Sequence, residues 1–332
     1  MMTSLVTGGA GFIGSHVVKH LLDMGHKVVV LDDLSEGFTD NIPKGADFVK
    51  GSILDKEIIQ SLLSRNNFDY VFHLAAYAAE GLSSFIKHFN YQNNLIGSIN
   101  LINASVNYNI KCFVFTSSIA VYGSVQTPML ESTIPQPEDS YGIAKFAVEM
   151  ELKSTHLMFG LDYIIFRPHN VYGEHQNIGD PCRNVIGIFM NQIMQNKPMT
   201  IFGDGQQTRA YTYISDVAPI IAESINIVEA RNQVFNIGSD KFYTLNDLAE
   251  MVGKAMGVSK NIVYLTPRNE VKHAYCSHEK IQSIFGSRPT VHLEDGLKKM
   301  AKWAKKIGAR GSADYKSIEI AKNLPPIWAK LT

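Results

Sequence analysis

The chain reads as an α/β protein built on a doubly wound parallel sheet with a smaller C-terminal lobe, and three observations carry that reading. Short apolar segments alternate with amphipathic ones through the first half. A glycine-rich turn, Gly8 to Gly14, joins the first of each kind. An acidic residue, Asp32, ends the second apolar segment at the distance a dinucleotide-binding unit requires.

Taken in order, the apolar segments are Ser4 to Thr7, Lys27 to Leu31, Tyr70 to Leu74, Cys112 to Thr116 and Tyr163 to Phe166. They are short and continuously apolar, the pattern of strands covered on both faces. Between them Ile13 to Met24, Asp55 to Ser64, Asn94 to Tyr108 and Tyr141 to Met158 read as amphipathic helices. Strand-helix alternation with glycine punctuation predicts a Rossmann-type sheet. After Arg167-Pro168 the pattern loosens into loops at Gly173 to Asn184 and Gly203 to Thr208. Helical patterns resume at Val185 to Asn196, Ser215 to Val228 and Leu245 to Met256. The expected division is a dinucleotide domain over 1–168 with segments near 210–236 returning to it, a substrate lobe over 169–308 and an extension over 309–332. That extension, ending in Leu324-Pro-Pro-Ile-Trp328, reads as a strap packed on the surface or at an oligomer contact.

Composition excludes several classes. At 332 residues and 45% hydrophobic content the chain can bury a large core. Lysine plus arginine equals aspartate plus glutamate, 31 each, with no basic run, which argues against nucleic acid or a membrane surface as partner. Cys112, Cys182 and Cys276 are widely separated and have no metal-ligand spacing, so no metal is expected and a reducing, cytoplasmic setting is. The first strand begins too early to leave room for a signal peptide, and no apolar run is long enough to span a bilayer.

Gly8, Gly11 and Gly14 follow a strand and open a helix. The first permits the tight turn, the second lets backbone approach a pyrophosphate, and the third lets the helix pack near the sheet with its N-terminus facing the phosphates. Phe12 and Ile13 belong to the same turn. The Asp32 carboxylate suits a ribose 2′-hydroxyl and repels a 2′-phosphate, and no arginine follows at once; NAD is therefore favoured over NADP.

Tyr141 and Lys145 stand four residues apart on a predicted helix, so both side chains project from one face. A tyrosine at its reference pKa of ~10 is a poor base near neutrality. A lysine and a positive nicotinamide ring beside it would stabilise the phenolate. Ser117 and Ser118 end the strand before this helix, where one of the two hydroxyls can hydrogen-bond a reacting alcohol. In isolation such a Tyr-Lys pair is most often a solvated helix face. Its position downstream of the glycine loop and the serines makes it a catalytic candidate.

The motifs Thr7-Gly-Gly-Ala-Gly-Phe-Ile-Gly-Ser-His16, His73-Leu-Ala-Ala76, Asn94-Leu-Ile-Gly97, Thr116-Ser-Ser-Ile-Ala-Val-Tyr-Gly123, Tyr141 to Lys145, Arg167-Pro-His-Asn-Val-Tyr-Gly173 and Phe202-Gly-Asp-Gly205 with Arg209 together resemble the extended short-chain dehydrogenase/reductase superfamily, in its sugar-nucleotide epimerase/dehydratase branch. The resemblance runs from the first strand to about Trp303. It implies that Ser118, Tyr141 and Lys145 are catalytic, that Ser52, Ile53, Leu74, Ala75 and Ala76 join the glycine loop and Asp32 around NAD, and that Asn94 supports the site from beneath. It further implies that Asn170, Asn184, Val185, Phe202, Arg209, Arg268 and Ala274 contact a nucleotide-sugar substrate. A homodimer through the helices beginning near Asn94 and Tyr141 is also implied, with Phe146 and Met150 as interface or intrachain core.

Among reactions of that branch, dehydratases carry an Asp-Glu pair after the catalytic hydroxyl, and this chain has Ile119-Ala120. Uronate decarboxylases place a glutamate, and 3,5-epimerases a cysteine, where Ala120 stands. The remaining expectation is inversion at C4 of a UDP-hexose, glucose/galactose or N-acetyl forms, through a 4-keto intermediate; the alternatives are a dehydratase, a reductase or an epimerase at another carbon, and then a non-catalytic NAD-binding sensor. Some positions depart from the family pattern. Gly51-Ser52 replaces a Gly-Asp whose carboxylate contacts adenine. Glu80 disfavours a sugar carboxylate if it faces the pocket, and the late diphosphate motif is altered to Arg268-Asn-Glu-Val271. His169 is expected to be an inert core histidine. Ala274, small where a side chain gates the C2 substituent, implies room for an N-acetyl group.

Overall fold

The computed structural model describes residues 1–268, 271–311, 318–326 and 328. Seven strands form one sheet, each pair parallel. They are β1 Thr3–Thr7, β2 Lys27–Asp32, β3 Asp47–Lys50, β4 Tyr70–His73, β5 Cys112–Thr116, β6 Asp162–Pro168 and β7 Gln233–Ile237. Their spatial order is β7-β6-β5-β4-β1-β2-β3. The chain winds outward from β1 in both directions, so the order reverses between β1 and β4. That switch point is where an open parallel sheet leaves a crevice at its carboxyl edge.

Alternation along the strands places two sets of side chains on opposite faces. Leu5, Val29, Val71, Phe113 and Ile165 pack against α2 Lys56–Arg65, α3 Gly97–Asn107 and α4 Ser140–Phe159, through Ile59, Leu62, Leu101, Ile102, Val148 and Leu152. Val6, Val30, Phe72, Val114 and Ile164 face α1 Phe12–Asp23 through Val17, Val18 and Leu21. Both faces are buried, which explains why these strands are uniformly apolar. Truncating Phe113, fully buried, to alanine would cost about 3–5 kcal/mol.

The helices start and stop where local chemistry directs. Asp55 accepts from the backbone N–H of Glu57 and Ile58 at the start of α2, and Asp139 accepts from Gly142 N at the start of α4. Gly160, at φ +76°, ends α4. Helix Leu245–Met256 opens with a Thr244/Asp247 capping box and closes at Gly257. The expected helix over Ser215 to Val228 is shorter, Ala218–Glu223, with 3₁₀ turns on either side and Pro219 in its first turn. The helical path into α3 contains a π turn, Gln92–Ile96.

The later chain adds helices Val185–Met194, Leu245–Met256, Glu279–Phe285 and Leu293–Ile307. Phe189, Leu248, Val252, Leu297 and Met300 join the same buried cluster as α1 and β1, so no apolar seam separates the two halves. Within the extension, the Glu319 carboxylate accepts from His88 N and Phe89 N at 2.8 and 3.0 Å, and Trp328 is buried with Tyr77, Leu82 and Ile86. Asn269, Glu270 and Ile327 lie outside the described residues. Among the described residues, no helix is long and apolar enough to cross a membrane.

Candidate active site

The crevice at the carboxyl edge of the sheet is a cavity of about 410 Å³. Of the expected cofactor residues, Gly8, Gly11, Phe12, Ile13, Gly14, Asp32, Ile53, Leu74, Ala75 and Ala76 border it. So do Ser118, Tyr141, Lys145, Asn170 and Asn184. Residues separated by more than a hundred positions thus converge on one volume.

The glycine loop is tight enough to require its composition. A Cβ on Gly14 would stand 2.0 Å from the Gly8 carbonyl oxygen, and one on Gly8, at φ +74°, 2.5 Å from Ala75 N. In both cases the obstacle is backbone, which cannot swing aside. The bare loop and the N-terminus of α1 present N–H groups and a positive dipole end, which suit a pyrophosphate. Asp32 accepts from Ala10 N at 3.0 Å and from Leu34 N at 2.9 Å, so its carboxylate is fixed at the end of β2. Burial pushes its pKa up, and those two N–H donors pull it back.

Tyr141 and Lys145 project from the first two turns of α4. Burial raises the Tyr141 phenol above its ordinary value, against the opposing pull of the Ser118 hydroxyl and the Arg183 guanidinium. Lys145 Nζ donates to the Thr116 carbonyl at 2.8 Å and lies 5.8 Å from the Tyr141 ring centroid. Burial lowers the Lys145 pKa to about 7. One of its three donors is engaged by Thr116, which holds the ammonium at the floor of the cavity.

The two serines separate by role. Both border the cavity, but Ser117 Oγ donates to Glu149 at 2.6 Å, so its proton is committed there. Ser118 Oγ accepts from Ala120 N at 3.1 Å and faces the cavity, keeping its hydroxyl proton to donate. Behind them Glu149 pairs with Arg167, and Arg167 donates to Tyr122 Oη at 2.7 Å. Tyr141, Lys145 and Glu149 form one i, i+4, i+8 stripe on α4, a signal present in the sequence although only its first two members announce catalysis.

Asn94, in the π turn, accepts from Tyr77 N at 2.8 Å and donates to Tyr77 O at 2.9 Å. It does not line the cavity; it fixes the backbone of Tyr77, which does. Ser52 is likewise outside the wall, accepting from Leu54 N in a turn. Val185, Phe202, Arg209, Arg268 and Ala274 do not line it either. Val185 starts a helix whose cap is Asn184. Arg209 donates to the carbonyls of Thr208, Lys272 and Val271. The Arg268 guanidinium lies 4.7 Å from the Phe202 ring centroid and 5.7 Å from that of Trp328. Ala274 is buried with Val121, Tyr122 and Met129 behind the turn that follows Ser118. Phe146 packs on that same cluster, whereas Met150 is half exposed. Glu36, Tyr77, Asn177 and Arg183 border the cavity without having been expected from sequence. Among the described residues no group of His, Cys, Asp and Glu has the arrangement to hold a metal ion.

Residues 4–238 match the NAD dependent epimerase/dehydratase family. The chain belongs to this family. A putative UDP-glucose 4-epimerase of Methanocaldococcus jannaschii is 34% identical over 304 residues, 91% of this chain and 98% of the relative. Among solved structures, the UDP-glucose 4-epimerase of Thermotoga maritima with UDP-glucose superposes with a TM-score of 0.88 at 37% identity, covering 92% of this chain and 99% of that one. The UDP-N-acetylglucosamine 4-epimerase of Methanobrevibacter ruminantium, in complex with UDP-N-acetylmuramic acid, gives 0.85 at 33% identity, covering 91% and 97%. A 4,6-dehydratase and a decarboxylase are also relatives, so family membership fixes an NAD-dependent sugar-nucleotide enzyme and leaves the reaction open. The Cβ-free glycine cradle and the fixed Asp32 carboxylate fit NAD.

Proposed function

We propose that the protein inverts C4 of a nucleotide-activated hexose, UDP-glucose/UDP-galactose or their N-acetyl forms, through a transient 4-keto sugar. One observation carries the choice of reaction. Ser118, Tyr141 and Lys145 meet at the cavity, while the turn after Ser118, Ile119–Val121, offers only apolar side chains. Dehydratases and decarboxylases of the family that the chain resembles carry an additional proton-transfer or charged group at that turn; C4 inversion asks for no acid-base group beyond Tyr141 and Ser118.

NAD, held by the glycine loop and Asp32, would supply a reversible hydride acceptor for the sugar. The protein's part is to position and to move protons. Tyr141 takes the proton of the 4-hydroxyl, and Ser118 donates a hydrogen bond to the same oxygen as it becomes a carbonyl. Lys145, held by Thr116 O, offers its remaining N–H groups and its charge to lower the cost of a phenolate in this buried setting. Asn170 and Asn184 are assigned to the diphosphate from the cavity wall. Arg209 and Arg268, the latter stacked on Phe202, are assigned to the diphosphate from the later lobe. Val185 and Ala274 are assigned to the sugar-nucleotide pocket through backbone and small size. A diphosphate tether leaves the keto sugar free to turn, and proton return from Tyr141 then completes inversion.

A homodimer is part of this reading. Ile143, Met150 and Leu157 recur every seven residues along α4 and are exposed, as are Phe89 and Ile96 on the neighbouring helical segment. An exposed apolar stripe of this kind is a surface that helix-to-helix association covers.

The test is incubation of the purified protein with UDP-glucose or UDP-N-acetylglucosamine, without added cofactor, followed by NMR of the anomeric protons. Appearance of the galacto isomer with no net change in absorbance at the NADH band supports C4 inversion. Net NADH production, or loss of the C6 hydroxyl, would replace it with a dehydrogenase or dehydratase.

A further inference from the structure

The loop after β2 and the segment 174–183 meet across the crevice. Asn177 Nδ2 donates to Glu36 Oε2 at 2.9 Å, and the Arg183 guanidinium reaches the same oxygen at 3.4 Å. Arg183 also donates to Asp180 Oδ2 at 3.1 Å and lies 4.8 Å from the Tyr77 ring centroid. Glu36, Asn177 and Arg183 border the same cavity as Gly11, Asp32 and Tyr141. A second stitch runs parallel, since Asn41 Nδ2 donates to both Ala10 O and His175 O at 3.2 Å.

An arginine in a nucleotide-sugar pocket invites assignment to the substrate's phosphates or to a sugar carboxylate. The charges decide against it. Arg183 is already held by two protein carboxylates, Glu36 and Asp180, so its charge is committed within the protein. Its geometry serves another end. Glu36 lies four residues beyond the ribose-binding Asp32, on one side of the crevice, and Asn177 and Arg183 lie on the other.

We propose that Glu36, Asn177 and Arg183 form a latch over the dinucleotide crevice that keeps NAD in place between turnovers. This inference rests on the crevice being the NAD site. With the latch closed, a dinucleotide under the loop after β2 cannot leave until the Glu36 contacts break. The Arg183 stack on Tyr77 extends the closure toward the catalytic end, because Asn94 anchors the Tyr77 backbone. A reaction that regenerates its cofactor in every cycle gains from such retention, since no exchange is needed.

The experiment uses the holoprotein as purified and measures exchange of bound NAD against excess isotopically labelled NAD, by mass spectrometry after rapid desalting. The variants are Glu36→Gln, Arg183→Gln, Asn177→Ala and the charge-swapped pair Glu36→Arg/Arg183→Glu. Exchange is expected to accelerate on the order of tenfold in Glu36→Gln and Arg183→Gln, the scale of one lost charge-assisted hydrogen bond, and by less in Asn177→Ala. The swapped pair, which restores opposite charges across the crevice, should return part of that acceleration. Unchanged exchange rates in the single variants, with melting temperatures equal to wild type, would overturn the latch. Faster exchange with no recovery in the swapped pair would also overturn it, because general loosening would account for the result. Absence of bound NAD from the wild-type protein would instead remove the cofactor assignment of the crevice.

Discussion

Arg167 grips both carboxylate oxygens of Glu149, and neither side chain reaches solvent, at 2% and 0% exposure. The pair is also shared. Ser117 donates to Glu149, Arg167 to Tyr122, and Tyr122 to Asn236 at 2.8 Å, so β5, α4, β6 and β7 are joined behind the turn that follows Ser118. Removing one partner strands a charge in an apolar interior. Glu149→Ala is expected to destabilise the protein by about 3–5 kcal/mol, read by urea unfolding. A Glu149→Leu/Arg167→Met double variant should recover much of that loss.

Tyr141→Phe removes a single oxygen from a side chain that is already buried. Fold and NAD content should be retained while conversion of UDP-hexose falls by about 10²–10⁴-fold, the usual contribution of a positioned acid-base group. Turnover within threefold of wild type would displace Tyr141 from its assigned role.

Gly14→Ala and Gly160→Ala offer a contrast. The first drives a Cβ to 2.0 Å from the Gly8 oxygen, whereas the second meets nothing within 4 Å and carries only the strain of its positive φ. Gly14→Ala should abolish NAD binding, measured as absorbance released on denaturation. Gly160→Ala should keep the cofactor and cost about 1 kcal/mol.

His73 and His169 are fully buried, and desolvation lowers each to about 3. His73 bridges Thr7 and Ser98, and His169 meets His278 at 3.0 Å, with Asp240 behind it. Each folded pKa lies below the unfolded value of ~6.5. Below that pH the unfolded chain takes up protons that the folded one refuses. The stability these residues give is therefore whole above about pH 6.5 and lost as pH falls toward 3. Unfolding free energies measured between pH 7 and 4 should drop, and His169→Gln should flatten the slope by up to about 1.4 kcal/mol per pH unit.

Leu157 is 83% exposed, in register with Ile143 and Met150. Met150→Glu/Leu157→Glu should convert a dimer into a monomer in sedimentation equilibrium without changing the circular dichroism of the fold. A wild-type protein that sediments as a monomer would remove the dimer from the proposal.

What was legible in the sequence is what depends on neighbours along the chain. The Gly8–Gly14 spacing, the strand-terminal Asp32 and the Tyr141–Lys145 turn are fixed by backbone geometry within a few residues, and each borders the cavity. The strands on either side of the switch point were readable because burial on both faces leaves a continuous apolar run. Long-range placement was not readable. Arg209 and Ala274 are adjacent only because Thr208–Ala210 pairs with His273–Ala274, strands too short to signal themselves. Arg183 is defined by carboxylates from two separate segments. The edge strand Asp47–Lys50, partly exposed, lacks the apolar signature of the strands inside the sheet. Pro219 shortens a helix that periodicity alone extends.

The position of β7 has a consequence for how the chain is made. Its partner β6 ends at Pro168, yet β7 begins only at Gln233. While the intervening segment is being synthesised, β6 presents an open row of backbone donors and acceptors along an apolar edge. Such an edge is a template for pairing with another nascent chain. The ribosome must therefore deliver the chain through Ile237 before the first sheet can be sealed, and productive folding competes with aggregation until then.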